Sequence, residues 1–560
     1  MSFIPSDFDA TEWQNIEPFM RELKERKLSC SSCLEKFIHD RSSLGEFISE
    51  ARARIYIKMT CYVDDKEVQK SWMDFVENIE PKLSEYSDIL NRRIIEHPSV
   101  GDLPEKYSVM LHGLKTDIDI FREENIPLRT QDTKLVTEYN EICGVQTVQF
   151  DGEEKTFSMM AIYLENTDST VREAAYRAID QRRMQDAERI SEIYDELIQI
   201  RHQTALNAGF EGFQQYMFAA MHRFDYTIQD CLKFHDSIEA VCQPLRHQND
   251  EKRRTTLGLD SLRPWDLSVD ILSRPPLVPF NEVNEMVEGC SNIFHSMSDE
   301  LGLLFDELDA NDCLDLDSRK GKAPGGYQYY LQKSRLPFIF MNAAGTQRNV
   351  ETMIHEAGHA FHSFFSGHLE LMHERDAPIE FAEVASMSME LMTHPQWEEF
   401  YNPEEANRAR RDHLEGIISF LPWMATIDSF QHWIYANPGH TREERISKWL
   451  EIGERFGAKI DFEGFEESRI VSWQRQGHLF GVPFYYVEYG IAQLGALQMW
   501  QFHRRDESDA LSRYKAGLSL GYTKGLTDLF DASGLKFSFE QEHLENLINE
   551  VNTALDELPA

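Results

Sequence analysis

Residues 353–362 read Met-Ile-His-Glu-Ala-Gly-His-Ala-Phe-His, and this stretch decides the fold around it. Each helical residue advances by about 100°, so His355, His359 and His362 lie along one stripe, opposite a set of apolar residues. The i, i+4 spacing brings the imidazoles of His355 and His359 close enough to share one Zn²⁺. Glu356 projects beside them as a candidate general base. The sequence therefore predicts a helix with one metal-binding face and one packing face.

A second helix is predicted shortly after the histidine stretch. A catalytic zinc ion takes three protein ligands and leaves a fourth position for water, so a third donor must come from another segment. Asp376 suits the N-cap of the second helix and Pro378 suits its first turn. Glu383 and Glu390, seven residues apart, lie on one side of it. Residue types and spacing alone leave both glutamates open as the third ligand.

Three polar residues near the motif have supporting roles in this interpretation. As a fourth protein ligand, His362 would leave no room for water, so we expect it to support the site, face the substrate or simply fill its position. Glu380 and Glu390 are candidates to orient the imidazoles through their second ring nitrogens. Glu380 has the alternative of only complementing a helix N-terminus.

Together, His-Glu-Ala-Gly-His-Ala-Phe-His at 355–362 and Phe-Ala-Glu-Val-Ala-Ser at 381–386 resemble the metal site of the thimet oligopeptidase and oligoendopeptidase F family. The bacterial Pz-peptidase-like branch is the most similar. Three further blocks carry the resemblance, namely Leu-Gly-Leu-Asp-Ser-Leu-Arg-Pro-Trp-Asp at 257–266, Arg-Lys-Gly-Lys-Ala-Pro-Gly-Gly at 319–326 and Pro-Phe-Tyr-Tyr-Val-Glu-Tyr at 483–489. In that family the glutamate of the Phe-x-Glu-Val-x-Ser context is the third ligand, which implies Glu383.

The resemblance also implies a fold and an activity. The expected fold is mainly α, a two-lobed helical ellipsoid with a deep central channel, divided here into an N-terminal lobe over 1–195 and a catalytic lobe over 196–560. The expected activity is that of a zinc-dependent oligoendopeptidase with one Zn²⁺ per chain and Glu356 as general base. A narrow channel admits short unfolded peptides and excludes folded proteins. The rivals are a helical zinc carboxypeptidase or dipeptidase, and a non-enzymatic acidic binding protein.

The only strongly β-like segment near the motif lies just before it. Residues 327–331 and 336–346 are rich in β-branched and aromatic residues and are bordered by glycines, which predicts a small sheet. We expect the strand Phe338–Ala344 to offer a free edge to the substrate backbone, the alternative being a plain structural strand. The candidate substrate-binding residues are Gly325, Gly326, Asn342 and Ala343.

The loop at 477–489 holds the candidate donors for the carbonyl oxygen, on which hydrolysis builds negative charge. The resemblance implies a histidine and a tyrosine from this region against the substrate. Here the chain has Val-Pro-Phe at 482–484, where the family's animal branch has a glycine-rich stretch. The candidates therefore remain three: His478, Tyr486 and Tyr489.

Composition narrows the function classes. The formal net charge is −39 over 560 residues, which argues against a nucleic-acid partner. Neither a secretion signal nor an apolar run of membrane-spanning length is recognisable, so we expect a cytoplasmic protein with no membrane partner. Eight cysteines are scattered, and Cys30 and Cys33 alone form C-x-x-C, which we expect to be reduced. Oligomeric state is left open.

Periodicity predicts helices through most of the remaining chain. The expected helices include 11–27, 43–61 and 68–97, and a Thr170-x-x-Glu173 capping box opens another. Asp-Gly at 151–152 predicts a hairpin between 145–150 and 155–164.

Overall fold

The histidine stretch lies in the helix Gln347–Ser366 of the computed structural model, which describes residues 3–559. The Asn349 side-chain oxygen closes the start of this helix by accepting hydrogen bonds from the backbone N–H groups of Ala344 and Thr346. The cap fixes where the helix begins. The first imidazole then follows about two turns along.

The described residues form 24 α-helices. The first eleven are α1 (Trp13–Glu25), α2 (Ser31–Cys61), α3 (Lys66–Asn78), α4 (Glu80–Ile95), α5 (Ser108–Ile120), α6 (Asn125–Gly144), α7 (Phe157–Leu164), α8 (Ser169–Met184), α9 (Ala187–Asn207), α10 (Phe213–Ala220) and α11 (Ile228–Thr256). The others are α12 (Val283–Met297), α13 (Asp299–Ala310), α14 (Gln347–Ser366), α15 (Met372–Arg375), α16 (Ile379–Met392), α17 (Pro403–Ala436), α18 (Arg442–Phe456), α19 (Glu466–Val471), α20 (Gly477–Gly481), α21 (Tyr486–Arg505), α22 (Glu507–Leu518), α23 (Leu526–Ala532) and α24 (Gln541–Glu557).

Two small sheets interrupt the helices. Strands β1 (Thr147–Phe150) and β2 (Glu153–Thr156) form a hairpin at the Asp-Gly turn, as predicted. The predicted second arm over 155–164 is too long, because the side chain of Thr156 caps a helix that begins at Phe157. The second sheet, of β3 (Leu314–Asp317), β4 (Tyr327–Leu331) and β5 (Leu336–Ala343), precedes the histidine helix. The prediction of a mainly α chain with a small sheet beside this helix is confirmed.

The prediction of a free edge on the strand before the helix is wrong. β5 is the central strand, because β3 pairs with it in parallel on one side and β4 pairs with it antiparallel on the other. The short strand β3 was not predicted, and it occupies the edge that seemed open. The outer strands of this sheet are therefore β3 and β4.

Local chemistry explains several differences in element boundaries. The helix expected over 68–97 is divided into α3 and α4, since Pro81 has no backbone N–H and begins a new helix. Helix α8 is capped by Asp168, whose side chain accepts from the Thr170 N–H, instead of by the predicted box. Asp376 does not cap α16, because the helix begins only at Ile379 and its N-cap is Pro378, which was predicted in the first turn. The Asp376 carboxylate instead accepts a hydrogen bond from the Gln332 amide.

The C-x-x-C pair lies where α2 begins. Cys30 is the N-cap residue of α2, and the structure joins it to Cys33 by a disulfide across the first turn. The expectation that both thiols are reduced is therefore wrong for this structure. The other six cysteines are free.

Buried side chains of the described residues form four clusters, of which the two largest are a large core and an N-terminal core. The large core draws on helices between α5 and α24, but not on α7 and α8, and it includes buried residues of α14, α16, α17 and α21. The second core joins α1, α2 and α4, with Leu371 added from the segment after α14.

The domain boundary at residue 195 stays a prediction. Within residues 3–559, every helix is too short or too polar to cross a bilayer.

Helices α14 and α16 cross in close contact at Gly358. A Cβ atom at this glycine would lie 2.5 Å from Ser386 Cα and 2.9 Å from the Ala385 carbonyl oxygen. Real side chains do not tolerate such distances to backbone atoms, so only glycine permits this crossing. The glycine between the two histidines thus determines how near the second helix comes to them.

Gly358→Ala is expected to push the two helices apart. Overpacking of this kind costs about 1–3 kcal/mol in the free energy of unfolding, which differential scanning calorimetry would show as a lower unfolding temperature. The matched control is Gly416→Ala in α17, where an added Cβ meets no atom within 4 Å. There the substitution is expected to stabilise the helix by about 0.5–1 kcal/mol. A Gly358→Ala protein at least as stable as the parent would contradict the close crossing.

Candidate metal centre

Three donor atoms from α14 and α16 meet at one point. Glu383 Oε2 lies 3.2 Å from His355 Nε2 and 3.4 Å from His359 Nε2. Three such donors all lie within 4.8 Å of one another. A tetrahedral zinc ion with bonds of about 2.0–2.2 Å holds its ligand atoms roughly 3.3–3.6 Å apart, so this donor set fits the ion. Of the two glutamates that residue types left open, Glu383 is the one beside both imidazoles.

Glu390 lies on the other side of the first imidazole. Its Oε1 is 2.6 Å from His355 Nδ1, and its Oε2 is 2.9 Å from His413 Nε2. His413 Nδ1 is in turn 2.8 Å from His394 Nε2. This chain of hydrogen bonds fixes the ring orientation of His355 and directs Nε2 toward the other donors. Sequence reasoning found Glu390 for this role but missed His413 and His394, which no local pattern connects to the motif.

The protonation states of the buried donors depend on their contacts with neighbouring side chains. Burial acts to raise the pKa of Glu383, but His359 and His355 lower that pKa well below its usual value, so the carboxyl group is ionised. Burial acts to lower the pKa of His355, but hydrogen bonds with Glu383 and Glu390 raise it well above its usual value. A metal ion bound here would therefore displace a proton from His355.

Glu356 is a buried carboxyl group with a free oxygen. Only 5% of the residue is exposed, and its Oε2 has no hydrogen-bond partner. Burial raises the pKa of Glu356, and the neighbouring His355 and His359 oppose that rise only in part. A carboxyl group whose pKa is raised toward neutrality suits proton transfer near pH 7. Gly326 faces it, since a Cβ there would lie 3.4 Å from Glu356 Oε1.

A cavity of about 1060 Å³ opens over these groups. The candidate site residues that line it are Gly326, His355, Glu356, His478, Tyr486 and Tyr489. The structure therefore brings the candidate base, one imidazole and all three candidate oxyanion donors into the lining of one cavity.

His478 lies in the short helix α20 instead of the predicted loop, and it is neutral and hydrogen-bonded on both ring nitrogens. Burial lowers the pKa of His478 to about 4. Gln476 Nε2 lies 2.7 Å from His478 Nδ1, and Tyr489 Oη lies 3.2 Å from His478 Nε2. The network assigns the proton to Nε2, because the Gln476 amide donates to Nδ1. Burial also raises the pKa of Tyr489 well above its usual value, so its hydroxyl keeps its proton.

The nearest tyrosine to the metal donors is one that sequence reasoning passed over. Tyr485 donates a hydrogen bond of 2.7 Å to Glu383 Oε1. Ser386 Oγ lies 3.1 Å from the other oxygen of the same carboxylate. Tyr486, the next residue, instead packs its ring 5.1 Å from that of His478 and lies on the cavity wall. Only the orientation of the loop distinguishes the two tyrosines, and no sequence signal reports it.

The four candidate substrate-binding residues have different surroundings. Gly325 has φ +96°, a conformation that favours glycine, and Gly326 follows it into the cavity wall. The Asn342 side-chain amide donates to the carbonyl oxygens of residues 323 and 325, so it holds this loop against β5. The Ala343 carbonyl already accepts from the Ser318 N–H. The substrate-binding role of these residues stays a prediction.

Two other candidates lie apart from the metal donors. His362 packs edge-on against Phe381, and burial lowers its pKa to about 3. Glu380 accepts a hydrogen bond from Tyr226 and lies 3.8 Å from Arg223, in contact with neither imidazole. Of the two glutamates expected to orient the imidazoles, Glu390 does so and Glu380 does not.

Comparisons with solved structures agree with this architecture. A structure of Pz peptidase A with an inhibitor has a TM-score of 0.95 and 26% sequence identity, with 99% of both chains covered. The fold expected from the resemblance is therefore confirmed.

Comparisons with curated sequences point the same way. Group B oligopeptidase PepB of Streptococcus agalactiae is 23% identical, over 72% of this chain and 68% of the relative. An oligoendopeptidase F homolog of Borreliella burgdorferi is 22% identical, over 82% of this chain and 78% of the relative. Residues 162–548 match the family described as peptidase family M3. The match extends over more than half of the sequence, so this chain belongs to peptidase family M3.

Proposed function

We propose that this chain is a zinc-dependent oligoendopeptidase that hydrolyses internal bonds of short unfolded peptides. One observation carries the proposal: three zinc-type donors meet beside Glu356, whose Oε2 is buried without a partner. A carboxylate oxygen so placed has water or substrate as its remaining partner. Membership of a peptidase family supplies peptide hydrolysis as the reaction class.

The catalytic residues divide the work of proton transfer and positioning. A bound zinc ion supplies Lewis acidity toward water and the scissile carbonyl group. Glu356 removes a proton from the attacking water and delivers it to the leaving amine, a step that contributes about 10²–10⁴ in rate. Because Glu356 and both histidines lie on α14, one rigid helix fixes the distance between the base and the metal ligands.

Donors on the cavity wall stabilise the charge that develops on the carbonyl oxygen. Tyr489 and Tyr486 keep their hydroxyl protons, since burial raises the pKa of each above its usual value. His478 contributes through Tyr489, because its Nε2–H is directed at that hydroxyl. Donors arranged before the reaction begins stabilise the transition state without reorganising.

The substrate backbone binds along the edge of β4 in this proposal. β4 is an outer strand of its sheet and begins directly after Gly326, which lines the cavity. An extended peptide can add to such an edge through main-chain hydrogen bonds. Gly325 and Asn342 then act by shaping the loop at the start of this edge.

Arginine pairing in the cavity disfavours recognition of a peptide terminus by a guanidinium group. An enzyme that recognises a terminal carboxylate needs a free guanidinium group or an equivalent cation. Here each cavity-lining arginine already donates to an acidic side chain or a backbone carbonyl, namely Arg246, Arg253, Arg274, Arg348, Arg408 and Arg411. Each of these six guanidinium groups thus already has a protein partner, and Lys252 is the lysine that lines the cavity.

A peptide acetylated at its N-terminus and amidated at its C-terminus is expected to be cut at an internal bond. Mass spectrometry of the products identifies that bond, and a chelator is expected to abolish the cleavage. The control is the same peptide with free ends, which is expected to be cut at the same bond. Cleavage that requires a free end would support the carboxypeptidase or dipeptidase alternative.

Glu356→Gln is expected to keep the metal and lose turnover. The amide has nearly the shape of the carboxyl group but cannot accept the proton, so kcat is expected to fall by about 10²–10⁴. Zinc content measured by mass spectrometry is expected to match the parent. Near-parental kcat in a zinc-loaded variant would remove Glu356 as the base.

Glu383→Ala and Glu390→Gln distinguish a ligand from a residue that orients a ligand. Loss of Glu383 is expected to leave the protein without stoichiometric zinc, because a zinc site of this kind needs three protein ligands and only two imidazoles would remain. Loss of the Glu390 charge is expected to weaken zinc binding by about 10–100-fold while a metal-loaded state remains accessible. Zinc titration with a competing chelator measures both. The reverse order of effects would move the third ligand to Glu390.

A further inference from the structure

A second set of metal-type side chains lies between α11 and α17. Cys231 and His235 are one turn apart on α11, and Asp428 and His432 are one turn apart on α17. All four are buried, with exposures of 0%, 1%, 0% and 5% respectively. Two i, i+4 pairs on facing helices form a common framework for an ion site inside a helical bundle.

Donor atoms of three of these side chains converge. One ligand atom each from Cys231, Asp428 and His432 lies within 4.8 Å of the other two. Asp428 Oδ2 and His432 Nε2 are 3.2 Å apart, the same distance that separates Glu383 and His355 in the first centre. Ligand atoms around a tetrahedral zinc ion are spaced in this way, at roughly 3.3–3.6 Å.

The unpartnered ring nitrogens of His432 indicate that its contact with Asp428 is more than an ion pair. Neither ring nitrogen of His432 makes a hydrogen bond, although Nε2 lies so close to Asp428 Oδ2. Asp428 Oδ1 is likewise buried without a partner. Buried polar atoms are almost always satisfied, so orphaned atoms on two residues one turn apart on α17 indicate a missing common partner.

His235 orients the carboxylate and does not itself bind the ion. Its Nε2 lies 2.9 Å from Asp428 Oδ2 and its Nδ1 lies 3.0 Å from Ser429 Oγ, so both ring nitrogens are in use. A histidine hydrogen-bonded in this way fixes the direction in which the remaining carboxylate lone pairs point. The ligand set is therefore one thiol, one carboxylate and one imidazole.

We propose that Cys231, Asp428 and His432 bind a second divalent ion of the zinc class, separate from the catalytic centre. Thiolate and imidazole ligands favour zinc over magnesium or calcium. A thiolate and a carboxylate together balance the two positive charges, so the occupied site is neutral, as burial requires.

This ion would support the loop that contacts the first centre. The ring of His432 packs 5.1 Å from that of Phe484, and Gln431 Oε1 accepts a hydrogen bond of 2.6 Å from the Phe484 N–H. Tyr485 follows and donates to Glu383. A metal that fixes His432 therefore fixes the surface against which this loop packs.

Metal content and cobalt spectroscopy of the full chain test the proposal. The parent protein is expected to hold about two equivalents of zinc per chain, and Cys231→Ser about one. After replacement of zinc by Co²⁺, a thiolate-to-cobalt charge-transfer band is expected in the near ultraviolet, because Cys231 is a ligand. The first centre has no thiol ligand and cannot produce this band.

Matched variants separate the two sites. Cys242→Ser, at another buried free cysteine of α11, is expected to keep both ions and the band. Glu383→Ala is expected to lose the first ion and keep the band, so failure of the catalytic proposal would leave this result unchanged. His432→Gln provides a second test should Cys231→Ser fold poorly. About one equivalent of metal in the parent without the band, or a band that survives Cys231→Ser, would overturn the proposal.

Discussion

The close crossing of α14 over α16 is the constraint on which the proposed metal centre depends. Ligands from one helix can be arranged by periodicity alone, but the third donor comes from a separate helix and needs the two backbones in contact. Gly358 permits that contact, because any side chain there would meet the backbone at Ser386. The crossing brings Glu383 to both imidazoles. A glycine inside the metal motif therefore sets the geometry of the whole centre.

Helical periodicity made much of the fold predictable. The stripe of His355 and His359, the helix that carries Glu383 and the small sheet before them all follow from spacing and residue type within about twenty residues. The errors arose where a distant segment decides the outcome. β5 is a central strand because β3, an earlier segment of the chain, pairs with it. The local sequence of β5 contains no signal for that partner.

Site residues that share one helix were predictable from their spacing, whereas those placed by tertiary packing were not. Glu390 was found because it follows Glu383 at helical spacing, whereas His413 is added from α17 and closes the hydrogen-bond chain through tertiary packing alone. Tyr485 and Tyr486 are adjacent, so spacing cannot separate the residue that contacts the metal ligand from the one on the cavity wall. One residue changes the direction of a side chain by about 100° at a helix start, which is enough to exchange their roles.

Buried polar contacts determine the direction of that loop. Phe484 has φ +66°, a conformation that residues other than glycine rarely adopt. Arg223 compensates for it, because its guanidinium donates to the Phe484 carbonyl and also to Glu488 in the first turn of α21. Tyr485 directly follows the first of these two anchors, and its hydroxyl group donates to Glu383. The orientation of the third ligand is thus coupled, through one hydroxyl group, to an arginine outside the metal centre.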